Sequence, residues 1–106
     1  MKLVTLKEGQ SLRIREINEA LEACRIYSLN HKAAVLGLPR STTYTIIRAQ
    51  HKSTGISAKI LAQMLNSPQL PLPVRVKIEQ YAREKASGFY GSTKRQQRQF
   101  LSRLAA

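Results

Sequence analysis

Apolar residues recur at helical spacing through most of the chain. Ile14, Ile17, Leu21 and Cys24 stand three and four apart, which is one face of a helix. Glu16, Glu19 and Glu22 lie elsewhere on that helix, beside Arg13, Arg15 and Arg25. The pattern predicts a first helix over 12–28 with Ser11 as its cap. Residues 1–10 read as a lead, in which Leu3, Val4 and Leu6 form a short extended piece before Glu8-Gly9-Gln10. Asn30 is placed to cap a short second helix over 31–36, which Gly37 stops. Leu38-Pro39 opens a third over 39–49, because proline suits a first helical turn. The run from His51 to Gly55 is a polar loop. Ser57 caps a fourth helix, with Ile56 packing on Leu61 as a hydrophobic staple. Ile60, Leu61, Met64 and Leu65 face inward, and the helix ends near Asn66.

After a proline-stiffened connection over 67–73, a fifth helix runs to about Ala86, with Val74, Ile78, Tyr81 and Ala82 inward and Gly88 closing it. Residues 93–104 can form a basic helix carrying Phe100, Leu101 and Leu104. The expected fold class is all-α: a compact five-helix bundle over 1–88, with a basic C-terminal tail or sixth helix over 89–106.

Composition narrows the class of partner. The 106 residues hold 18 Lys+Arg against 6 Asp+Glu, a formal net charge of +12, and the acids are all Glu. With 42% hydrophobic residues the chain has the apolar surface to fold. An acid–base enzyme built on paired aspartates is excluded, and the charge points to a polyanionic partner, nucleic acid before an anionic membrane surface. Residues 31–66 carry five Lys+Arg and no acid, whereas residues 1–30 are nearly balanced. Cys24 is the only cysteine and His31 and His51 the only histidines, so no disulfide, metal site or cofactor is expected. No membrane span and no secretory signal are evident, and the expected location is the cytoplasm. The five glycines mark element boundaries and form no phosphate-cradling loop, and Cys24 has no assigned base, so no enzyme is expected.

The run over 29–48, LNHKAAVLGLPRSTTYTIIR, resembles a helix-turn-helix of bacterial and phage regulators. Ala33 sits four residues before Gly37, where two helices approach closely, and Leu36, Leu38 and Ile46 fall where that motif places core residues. Leu-Pro-Arg-Ser-Thr-Thr-Tyr is similar to the run that opens many recognition helices. Thr43 departs from the pattern, which has Val or Ile there. The order of the surrounding helices resembles phage Cro- and lambda-repressor-like domains, and the helical reading of 56–66 leaves no wing hairpin. On a helical wheel, Arg40, Ser41, Tyr44, Thr45 and Arg48 share one side, and Thr42, Thr43, Ile46 and Ile47 the other.

The resemblance implies a sequence-specific regulator of transcription, a repressor by the family's habit, that binds double-stranded DNA as a homodimer and associates with the nucleoid. Arg40, Ser41, Tyr44 and Thr45 would read bases in the major groove, Arg40 by two hydrogen bonds to a guanine edge. Asn30, Lys32, Arg48, His51, Lys52 and Ser53 would hold phosphates. Helix five and the tail, with Phe89, Tyr90, Phe100, Leu101 and Leu104, are the expected dimer surface, unless Lys94 to Arg103 follows the DNA backbone as an arm. No small-molecule effector domain fits in the remaining residues. Two other readings compete: an RNA- or ribosome-associated basic protein, and an antitoxin-like protein-interaction module.

Overall fold

The computed structural model describes residues 6–48, 55–90 and 93–105, and six helices among them. The helix α1, Leu6–Ala23, starts earlier than the apolar pattern predicts. Residue 6 is helical rather than extended, and Ser11 lies inside the helix instead of capping it. The reason is Gln10, which is 4% exposed and continues the buried stripe of Ile14, Ile17 and Leu21 by one turn. A polar residue in the core face hides that turn from a hydrophobicity pattern.

The far end of α1 also differs, stopping at Ala23 rather than continuing to 28. Arg25 takes a left-handed conformation, φ 64°. Its N–H donates to Glu22 O at 2.9 Å, and Ile26 N–H donates to Leu21 O at 3.0 Å. This pair of bonds is a Schellman ending, and Ile26 is buried just beyond it. The usual glycine is replaced here by arginine, so nothing in the sequence marks the stop.

Helix α2, Leu29–Leu36, is capped by Ser28, whose Oγ accepts from His31 N–H at 3.1 Å, and not by Asn30. Gly37 ends it with φ 69°, and Leu38 N–H donates back to Ala33 O. The third helix, α3 (Arg40–Ile47), begins after Pro39 rather than on it, and Arg48 is its C-cap. Helix α4, Ala58–Leu65, is capped by Ser57 as the sequence predicts, with Ile56 buried just before it. Helix α5, Leu72–Ala86, buries Val74, Ile78, Tyr81 and Ala82, the four residues expected.

Helices α1 and α5 pack side by side. Gln10 meets Tyr81, Arg13 Nε lies 2.8 Å from Glu84, and Glu16 lies 3.6 Å from Lys77. Against this pair the other helices assemble around one core, centred on Leu36, Ile46, Leu61 and Met64. Helix α6, Lys94–Ala105, packs on α4 and α5 through buried Phe100 and half-buried Leu104. Its start is a capping box: Thr93 N–H donates to Gln96 Oε1 at 2.9 Å and Gln96 N–H to Thr93 Oγ1 at 3.2 Å.

Docking α6 changes the expected dimer surface. Tyr90 stacks on Tyr81, ring centroids 5.7 Å apart, and Phe100 and Leu104 face the core. Of the five residues proposed for that surface, only Phe89 and Leu101 remain well exposed.

Candidate nucleic-acid interface

The placement of α3 begins in the turn before it. Residue 37 needs a left-handed backbone, which glycine adopts at no steric cost. A Cβ there would also stand 3.3 Å from the side chain of Ser67. Ser67 is buried, and its Oγ donates to Val35 O at 2.6 Å, tying the segment after α4 to the end of α2. The turn is therefore held from both sides, and with it the direction in which α3 leaves.

Within α3 the spacing of three between Thr43 and Ile46 defines the buried side. Thr43 is fully buried where an aliphatic residue was expected, and its hydroxyl donates to Pro39 O at 3.0 Å. That bond satisfies the one polar group a Val would lack. The opposite side carries Arg40, Ser41, Tyr44 and Arg48, all exposed, with Thr45 half-buried beside them. The Arg48 guanidinium lies over the Tyr44 ring, 5.6 Å from its centroid, which holds the two in one cation–π unit. Thr45 Oγ1 donates to Ser41 O at 3.1 Å, so its hydroxyl faces outward only as an acceptor. Arg40 occupies the first helical position, and no acid lies in the first turn of α3. Helix N–H groups and guanidinium together favour an anion there.

The residues expected to hold phosphate divide. Asn30 is exposed on α2, and Arg48 is exposed at the end of α3. Lys32 is not available on the surface. Its side chain is 5% exposed, and its ammonium lies 3.0 Å from Glu22 of α1. The pair ties α2 to α1, and removing Glu22 would leave the Lys32 ammonium buried without that partner. His51, Lys52 and Ser53 lie outside the described residues.

The charges separate by element. Every Glu lies on α1 or α5, whereas α2, α3, α4 and α6 carry Lys32, Arg40, Lys59, Lys94, Arg95, Arg98 and Arg103 and no acid. Helices α1 and α5 thus nearly balance their own charge, with pairs such as Arg13–Glu84, and the other four helices keep an unbalanced positive charge apart from Lys32, which pairs with Glu22 of α1.

A buried polar clamp, which the sequence does not announce, fixes where the chain re-enters the core after α3. Tyr81 OH accepts from Ile56 N–H at 3.0 Å and donates to Gln10 Oε1 at 2.6 Å. Lys85 Nζ donates to Ile56 O. Gly55 packs against this cluster with φ 76°, and a Cβ on it would overlap Gln10 Oε1 and Tyr81 OH. Burial pushes the Tyr81 hydroxyl up to about 12 and the Lys85 ammonium down to about 8. The only signal in the sequence is a tyrosine at an inward position, since a buried tyrosine hydroxyl needs a partner.

Among the described residues, no group of His, Cys, Asp or Glu is arranged to hold a metal ion, and no helix is long and apolar enough to cross a membrane. Comparison with protein families, with curated proteins and with solved structures gives no match.

Proposed function

We propose that this chain is a sequence-specific double-stranded DNA-binding protein that regulates transcription as a repressor, with α2 and α3 acting as a helix-turn-helix and α3 lying in the major groove. The observation that carries the reading is the outward side of α3. Five contiguous polar or aromatic positions, two of them arginine, stand on the outward side of α3, opposite buried Thr43 and Ile46, and α3 carries no acid. An α-helix fits the width of the major groove, and the early residues of a recognition helix reach the base edges. Arg40 reads a guanine edge, Ser41 accepts or donates a single bond, Thr45 accepts one, and Tyr44 covers a thymine methyl. Arg48, set against Tyr44, holds a phosphate. Asn30 and the loop residues His51, Lys52 and Ser53 complete the backbone contacts, and Lys32 drops out of that set. Binding as a homodimer follows from the short reach of one α3, because doubling the contact gains affinity through effective concentration. Nucleoid association follows from the charge.

The test is competition between a DNA duplex and an RNA duplex of equal length and mixed sequence at equal salt. A-form RNA has a major groove too deep and narrow for side chains to read. DNA should therefore displace RNA from the native chain, and equal or stronger retention of RNA would overturn the reading in favour of an RNA-binding protein.

A further inference from the structure

A groove of about 600 Å³ opens between α4 and α6, lined by Gly37, Lys59, Ala62, Gln63, Asn66 and Arg103. We propose that this groove seats a phosphodiester of a DNA duplex, flanking the stretch read by α3; in that placement it rests on the reading above. Lys59 comes from the first turn of α4 and Arg103 from the last turn of α6. Both are exposed, and neither is ion-paired among the described residues. Two helices remote in sequence thus bring two cations to one concavity, and Gln63 and Asn66 add amide donors between them. No acid contributes to the lining. The remaining lining residues, Gly37 and Ala62, are small and let a sugar–phosphate backbone approach closely.

Two features favour a duplex backbone over a small free anion. Gly37 lines the groove and lies in the turn that leads, three residues on, to Arg40, so the groove adjoins the turn before α3. Beyond the groove, Lys94, Arg95 and Arg98 fall within about 100° of arc on the face of α6 opposite Phe100, at 100° per residue. They extend the positive charge along the outer surface, as a polyanion longer than one phosphate requires. Arg103 belongs to the groove only because α6 folds back onto α4, which the sequence leaves open.

The experiment measures affinity for an unselected duplex of about 30 base pairs across a range of salt, for the native chain and for Lys59→Gln/Arg103→Gln. Losing two phosphate contacts should reduce the slope of log K against log salt by about 1.8. A charge-matched control, Arg15→Gln/Arg83→Gln, alters exposed residues of α1 and α5 away from the groove and should leave the slope near native. An unchanged slope for the groove variant, or an equal drop for the control, overturns the proposal. Unfolding curves of both variants should match native, since all four side chains are exposed. The assay is blind to base preference, so the two readings separate. A reduced slope with no preferred sequence leaves the groove standing without the α3 reading, and a preferred sequence with an unchanged slope does the reverse. Absence of duplex binding by the native chain overturns both.

Discussion

Arg40 opens α3 with no acid in its first turn, and the proposed function assigns it the main base contact. Arg40→Ala should weaken binding to the preferred duplex by about 1–3 kcal/mol and relax the preference at one base pair, as read by affinities for single-base variants of the site. Arg25 illustrates the opposite case, a residue held in strain for the fold. A left-handed backbone costs a non-glycine residue roughly 1–2 kcal/mol. Arg25→Gly should therefore raise stability in urea unfolding by about 1 kcal/mol after glycine's extra unfolded-state freedom is offset. A loss of stability would show that the Arg25 side chain contributes more than its backbone costs. At this scale the sequence was partly readable. The outward set on α3 follows from spacing alone. The burial of Lys32 does not, because it depends on Glu22 of a different helix.

The elements most legible in the sequence are those whose apolar spacing and end signals agree. Helix α4 has its Ser57 cap and α5 its proline start; α5 buries the four residues that spacing selects, whereas α4 buries Leu61 and Met64 and leaves Ile60 and Leu65 half-buried. The start of α1 was hidden because Gln10 is buried for its bond to Tyr81, a partner 71 residues away. The docking of α6 was equally hidden, since one Phe and one half-buried Leu are a weak stripe. The clamp formed by these long-range bonds sets the re-entry of the chain after α3. Tyr81→Phe removes the hydroxyl and with it the bonds to Ile56 N–H and Gln10 Oε1, which should cost about 1–3 kcal/mol. Gly55→Ala should cost more, above about 2 kcal/mol, because it combines a left-handed backbone with steric overlap. Thermal or urea unfolding of the two variants checks the order, and a milder effect for Gly55→Ala would contradict the clamp geometry.

Across the whole molecule, charge is sorted by element: α1 and α5 carry every Glu and nearly balance, and α2, α3, α4 and α6 carry cations without acids. The net charge was legible at once, but its sorting required the fold. The two ionisable groups of the clamp also give stability a particular pH dependence. Burial holds Lys85 at about 8, below its unfolded value of 10.5, so between these limits the unfolded chain binds more protons. Stability should therefore rise with pH from about 8, by on the order of 2 kcal/mol in all. Tyr81 acts in the other sense. Its hydroxyl is raised from 10.0 to about 12, so the stability it contributes is complete below pH 10 and is lost as pH climbs to 12. Tyr90, raised by burial and by Glu84, adds to that loss. Urea midpoints should thus peak near pH 10, and Lys85→Met should abolish the rise below the peak. A native profile that is flat from pH 8 to 10 would show that Lys85 is solvated rather than buried against Ile56.

Sequence-specific binding by α3 is tested by selection from a random duplex pool at about 150 mM salt, where nonspecific phosphate binding is weak. A sequence-specific dimer should enrich a short consensus, repeated as a palindrome with half-sites about one helical turn apart, and Arg40→Ala should lose the preference at one position of each half-site. A folded native chain that enriches no sequence would contradict sequence-specific binding and leave the outward side of α3 a solvated surface.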